Sequence, residues 1–207
     1  AGSGSAGSSD GTGTSASFDY PRGITSDGRN LYVSDYNNHL IRQIVFSTGV
    51  VTTLAGTGSS GSTNGTGTSA SFYHPEGITT DGTNLYLADK YNHQIRQIVI
   101  STRVVSTLAG SGTSLSVDGT GTSSSFSSPI GITTDGRNLY VTDESSSTIR
   151  KVVISTGVVT TLAGTGSIGS LNDTGTSASF YHPHGITTDG TNLYVADKKN
   201  FLIRQIE

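Results

Sequence analysis

An all-β fold made of four copies of one small antiparallel sheet is what this sequence predicts, and three observations predict it. The first is a period. Pro21, Pro75, Pro129 and Pro183 are all the prolines, each 54 residues from the next. Segments 1–44, 55–98, 109–152 and 163–206 align without a gap, and 22 of the 44 aligned positions hold one residue in every copy. The second is strand patterning within a copy. "NLYLAD" (84–89) and "QIRQIVI" (94–100) alternate apolar and polar residues, and no window carries a helical period. The third is turn chemistry. Asp27, Asp81, Asp135 and Asp189 each precede a glycine, which accepts the positive φ of a tight hairpin.

Taken in order, a copy reads as follows. A short β-rich stretch, "GITTD" (77–81), runs into the Asp-Gly turn. "NLYLAD" returns, a polar turn follows, and "QIRQIVI" runs back. After a short turn, "VVSTLAG" (104–110) supplies a fourth strand. A polar loop of roughly 20 residues leads to the next copy. The repeats span residues 1–54, 55–108, 109–162 and 163–207 of one domain or segment. A lone four-stranded meander exposes two faces, and stacking copies about an axis buries them. That arrangement is a β-propeller. The competing β-solenoid usually has shorter coils and does not need Asp-Gly hairpins.

The pattern PxGITxDGxNLYVxD…NHxIRQI resembles the NHL-repeat family of β-propellers across all four copies, and Asn38-His39-Leu40 spells that family's name. The loop AGxGxxGxxDGTGTSASFxxPxGI resembles the connector of a bacterial subgroup. The resemblance implies a propeller of four-stranded blades and says little about activity. Such propellers are mostly binding scaffolds, and a minority of related ones are metal-assisted lyases or lactonases.

The fourth strand follows the first three copies, at 50–56, 104–110 and 158–164. The fourth copy is followed only by Glu207, and Ala1-Gly2 matches no more than the tail of that strand. The last blade is expected to lack its outer strand and to leave an open edge. The expectation is a segment of a longer propeller, or a ring or filament completed by another chain. A designed or reconstructed four-repeat protein with no natural ligand is the alternative.

Composition narrows the function. A formal charge of −3, with no lysine before Lys90, argues against a nucleic-acid partner. No apolar run approaches the ~18 residues of a membrane-spanning helix. The absence of cysteine excludes disulfides and thiol chemistry. A Ser/Thr/Gly-rich, lysine-poor surface suits an extracellular or cell-surface protein, although the segment "AGSGSAGSSD" is no signal peptide.

Residues shared by every copy are expected to be scaffold. Asp35, Asp89, Asp143 and Asp197, with Arg42, Arg96, Arg150 and Arg204 seven residues on, should make a repeated turn-fixing contact. Phe18, Phe72, Phe126 and Phe180 should anchor the long loop. His39 and His93 are replaced by Ser147 and Phe201 in the other copies, so no zinc site is expected there. The informative positions flank each proline and differ between copies. Tyr20, Arg22, Tyr73, His74, Glu76, Tyr181, His182 and His184 are the candidate binding residues, set at the mouth of the axial channel. Aromatic faces and charged groups there suit a polar or glycan ligand. No catalytic residue, metal or cofactor is assigned, and a His/Glu site of a lyase- or lactonase-type enzyme is the alternative. Asn64-Gly65-Thr66 and Asn172-Asp173-Thr174 are glycosylation sequons.

Overall fold

The computed structural model describes all 207 residues. Its secondary structure is β throughout, apart from five three-residue 3₁₀ turns. Blade 1 holds β1 (Gly11–Thr12), β2 (Pro21–Ser26), β3 (Asn30–Asp35), β4 (Leu40–Val45) and β5 (Val50–Ala55). Blade 2 holds β6 (Gly65–Thr66), β7 (Pro75–Thr80), β8 (Asn84–Asp89), β9 (Gln94–Val99) and β10 (Val104–Ala109). Blade 3 holds β11 (Gly119–Thr120), β12 (Pro129–Thr134), β13 (Asn138–Asp143), β14 (Thr148–Val153) and β15 (Val158–Ala163). Blade 4 holds only β16 (Pro183–Thr188), β17 (Leu193–Asp197) and β18 (Leu202–Ile206).

Sheet order in blade 1 is β1-β5-β4-β3-β2, blades 2 and 3 repeat it, and blade 4 is β16-β17-β18. These are propeller blades, and the last lacks its outer strand as the sequence predicts. One element was not foreseen. The long loop adds a two-residue fifth strand outside the fourth, pairing Gly11 with Val51 and Thr12 with Val50. Blade 4 has no fourth strand to receive it, and Asp173 stands where the other copies have glycine.

The chain forms two compact units, residues 1–92 with 96–106, and residues 93–95 with 107–207. In the first, blade 1 contributes Tyr32, Ile41, Leu54 and Ala55 to an apolar cluster. Blade 2 meets them with Ala70, Phe72, Ile78, Leu85, Leu87, Ile98 and Val105. In the second, Ile149 and Ala163 of blade 3 meet Ala178, Phe180 and Val195 of blade 4. Each residue of the second cluster has its repeat counterpart in the first, so the same interface is written twice.

Each blade also has a polar core. Arg42 is fully buried. Its Nη1 donates to Asp35 Oδ2 at 2.9 Å and to the Ser17 carbonyl at 3.0 Å. Its Nη2 donates to the Ser9 carbonyl at 3.0 Å and to Asp10 Oδ1 at 2.8 Å. The guanidinium lies 5.2 Å from the Phe18 ring centre, a cation–π contact. Asp35 Oδ1 accepts from the Asp19 N–H at 2.8 Å, and Oδ2 accepts from Asn38 Nδ2 at 2.9 Å. The Arg–Asp pair and the phenylalanine anchor recur around Arg96, Arg150 and Arg204. One buried ion pair thus ties two strands, a turn and the middle and far end of the long loop. Burial pushes the Asp89 and Asp143 carboxyls up to about 6, against the pull of their arginines.

The Asp-Gly hairpins close as their chemistry requires. Asp27 Oδ1 accepts from the N–H groups of Arg29 and Asn30, and the Tyr32 hydroxyl donates to Oδ2 at 2.7 Å. Burial works to raise Asp27, but these hydrogen bonds outweigh it and hold the carboxyl down at about 2.

A buried charge that loses its partner is costly, so Arg96→Met should destabilise the fold by about 3–5 kcal/mol. Asp10 pairs with Arg42 through a half-exposed carboxylate, so Asp10→Ala should cost under about 1 kcal/mol. Urea unfolding of both variants checks the ranking, and equal losses would refute it.

Candidate functional site

The variable residues beside the prolines sit in an unusual backbone. Tyr20, His74, Ser128 and His182 all have φ between 52° and 61°, and so do His39, His93, Ser147 and Phe201 in the turn before the third strand. Left-handed residues turn the chain sharply.

In the first unit these turns gather aromatic side chains. The His74 ring lies 4.2 Å from the Tyr36 ring, 4.5 Å from His39, 5.2 Å from Tyr73 and 5.3 Å from Tyr91. The Arg22 guanidinium stands 5.0 Å over Tyr36. Glu76 Oε1 pairs with Lys90 Nζ at 3.3 Å, and that ammonium lies 5.4 Å from the Tyr91 ring. Burial and a hydrogen bond with Tyr91 push the Tyr36 hydroxyl well above its usual range. Tyr73 and Tyr91 keep exposed faces. Four of the predicted residues, Arg22, Tyr73, His74 and Glu76, therefore lie in one cluster. Tyr36, His39, Lys90 and Tyr91 complete it and were missed. They belong to the turn after the second strand, where the copies also differ. That difference was the available signal.

Tyr20 stands exposed, outside this cluster. In the second unit, Tyr181 and His182 have rings 5.2 Å apart, and His182 Nδ1 lies 3.6 Å from Glu144 Oε1. The His184 carbonyl accepts from the Thr142 hydroxyl at 2.7 Å. Asn64 and Asn172 are both on exposed loop surface, and Asn64 Oδ1 accepts from Arg96 Nη2 at 2.8 Å.

The histidines of the repeat have a role that residue type alone did not disclose. His39 Nδ1 accepts from the backbone N–H of His74 in the next blade at 3.1 Å. His93 Nδ1 accepts in the same way from Ser128, also at 3.1 Å. Each imidazole is a latch that satisfies the strained residue before the neighbouring proline. It must be neutral at Nδ1 to accept. Burial lowers both histidines below their usual value, and the nearby His74 adds to the effect on His39.

Residues 18–44 match the NHL repeat family. The chain is 30% identical over 225 residues to Protein SUPPRESSOR OF QUENCHING 1, chloroplastic, of Arabidopsis thaliana, covering 99% of this chain and 21% of that protein. It is 40% identical over 104 residues to the human NHL repeat-containing protein 2, covering 48% of this chain and 14% of that one. The chain thus spans about a fifth or less of the length of these relatives. Among solved structures, an auxiliary nutrient binding protein from Bacteroides thetaiotaomicron superposes with a TM-score of 0.69 at 22% identity, over 86% of this chain and 45% of that one. Virginiamycin B lyase from Staphylococcus aureus gives 0.55 at 19% identity, over 89% and 54%. At such identities these neighbours speak for the fold alone.

The latch makes a pH prediction. A folded-state histidine pKa below its unfolded value near 6.5 contributes stability that is present above that value and lost as pH falls through the folded pKa. The raised Asp89 and Asp143 work in the opposite sense, so the informative quantity is a difference between variants. Between pH 7.5 and 5, the native chain should lose more stability than the double variant His39→Ser/His93→Ser. At pH 7.5 that variant should be weaker by about 1–2 kcal/mol. Superimposable pH profiles in urea unfolding would remove the latch. Four copies of one blade, a matched repeat and relatives bearing its name lead to one assignment: this chain belongs to the NHL-repeat β-propellers.

Proposed function

We propose that this propeller is a non-enzymatic binding scaffold at the cell surface or outside the cell. Its ligand site is the aromatic cluster of the first unit, and its ligand class is a neutral, hydroxyl-rich molecule such as a glycan. The observation that carries the reading is the partly exposed ring set of Tyr73, His74 and Tyr91, bordered by Arg22 and the Glu76–Lys90 pair. Aromatic faces stack on the C–H faces of a sugar, and the charged border offers hydrogen bonds to its hydroxyls. Burial lowers His39 and His74, so the cluster's imidazoles are neutral near pH 7 and act as ring surface. The nutrient-binding neighbour supports a binding role on this fold. In a glycosylating host, Asn64 and Asn172 would carry glycan on exposed loops. The lyase neighbour and the His182–Glu144 pair favour a second reading, in which that imidazole acts as a base.

Titration with neutral mono- and disaccharides, followed by two-dimensional NMR, tests the first reading. Shifts should be confined to the cluster. Tyr91→Ala should weaken the affinity about tenfold, the scale of one stacking contact. A panel with no shifts at millimolar concentrations refutes the site.

A further inference from the structure

The two imidazoles at the centre of the aromatic cluster are held in opposite tautomers. We infer that His39 and His74 read a pair of adjacent hydroxyls, a vicinal diol. His39 Nε2–H donates to one hydroxyl, and His74 Nε2 accepts from the other. The inference rests on the ligand reading of this cluster and names the polar atoms that make it selective.

The backbone decides the tautomers. The Tyr36 carbonyl can only accept, and His74 Nδ1 lies 3.2 Å from it. His74 therefore carries its proton on Nδ1. The backbone N–H of His74 can only donate, and it reaches His39 Nδ1 at 3.1 Å. His39 therefore keeps a lone pair on Nδ1. A neutral imidazole has one N–H and one lone pair, so the second nitrogen of each ring is decided too. His39 Nε2 carries a hydrogen, and His74 Nε2 carries a lone pair. Burial lowers both histidines below their usual value, which keeps both rings neutral near pH 7.

Both outer nitrogens are open to a ligand. Neither makes a hydrogen bond within the chain. The buried side-chain polar atoms left without a partner belong to Ser34, Arg42, Gln94, Arg96 and Arg150, so both Nε2 atoms reach solvent. Their placement is fixed in advance. His74 stacks on the Tyr36 ring with centres 4.2 Å apart, and hydrogen bonds hold its backbone and its ring. His39 meets His74 edge to face at 4.5 Å, and Tyr73 in the same manner at 5.8 Å. One sugar-sized ligand spans rings this close, and groups already held lose little freedom on binding.

The surrounding charges disfavour other ligands. An anion needs donors, and His74 Nε2 turns a lone pair towards it, with the Glu76 carboxylate nearby. A cation would meet the Arg22 guanidinium and the Lys90 ammonium. A hydroxyl both donates and accepts, so two adjacent hydroxyls satisfy one nitrogen each. The pair is also particular to this junction. In the second unit His93 accepts from the Ser128 N–H, so a serine stands in the place of His74. At the next junction His182 holds the position of His74, and Ser147 holds that of His39. Of these three junctions, only the one inside the first unit brings two imidazoles together.

Two-dimensional NMR titration at pH 7.5 tests the inference. The probes are the methyl glycosides of glucose, mannose and galactose, and analogues of each with one ring hydroxyl replaced by hydrogen. The native chain should bind at least one parent glycoside. Loss of either hydroxyl of one adjacent pair should weaken that binding about tenfold, the scale of one hydrogen bond. Asparagine places a hydrogen-bonding atom near the position of Nδ1 and none at Nε2. It also tolerates the left-handed backbone, φ 56° at His39 and 54° at His74. His39→Asn and His74→Asn should therefore keep the native urea midpoint and bind the parent about tenfold less tightly. Each variant should become indifferent to one of the two hydroxyls. Native binding that ignores every deoxy change, or depends on hydroxyls that are not adjacent, overturns the diol assignment and leaves the aromatic site standing. So do asparagine variants that keep the full preference. A panel with no shifts at all overturns both readings.

Discussion

The structure depends on one buried ion pair per blade. Strands this short and this poor in apolar residues cannot hold a 20-residue loop by hydrophobic contact alone. Arg42 and its copies answer that by hydrogen bonding the loop at residues far apart in sequence while neutralising a fully buried aspartate. The phenylalanine under each guanidinium covers the face that has no oxygen partner, and the Nε atoms of Arg42, Arg96 and Arg150 make no hydrogen bond. An ion pair between charges this deeply buried gains little in net free energy, since desolvation offsets most of the attraction. Its value lies in specificity. The pair is satisfied only when strands, turn and loop are all in register, so it selects one arrangement of a sequence with few other means to do so.

That division of labour explains what was legible in the sequence. Hairpin strands such as Asn84–Asp89 can be read residue by residue, because alternation and Asp-Gly turns are local signals. The scaffold roles of the aspartate, arginine and phenylalanine follow from their presence in every copy. The two-residue strands at Gly11–Thr12 and its copies were invisible, because they form only where a fourth strand from some 40 residues away offers an edge. The histidine latch was hidden for a related reason. His39 acts on the backbone of a residue 35 positions on, in another blade, and nothing in the side chain at position 74 needs to record it.

Variation between copies is confined by the same framework. Phe18, Pro21 and their copies are the same in every blade, whereas Gly7 and Gly11 give way to Leu115 and Asp173 in blades that keep the ion pair. The left-handed residues before proline and before the third strand carry no strand pairing. They differ between copies, with Tyr, His and Ser at one of them and His, Ser and Phe at the other. Two of them, His39 and His74, belong to the aromatic cluster of the first unit.

Repetition also decides where such differences are felt. Within each unit one junction joins two blades through the same positions, Ile41 and Ala55 against Ala70, Phe72 and Leu87 in the first, and Ile149 and Ala163 against Ala178, Phe180 and Val195 in the second. In the first unit the left-handed residue before the third strand also reaches the next blade, where His39 Nδ1 accepts from the His74 N–H. A change at that residue alters the junction while leaving in place the apolar positions that carry it.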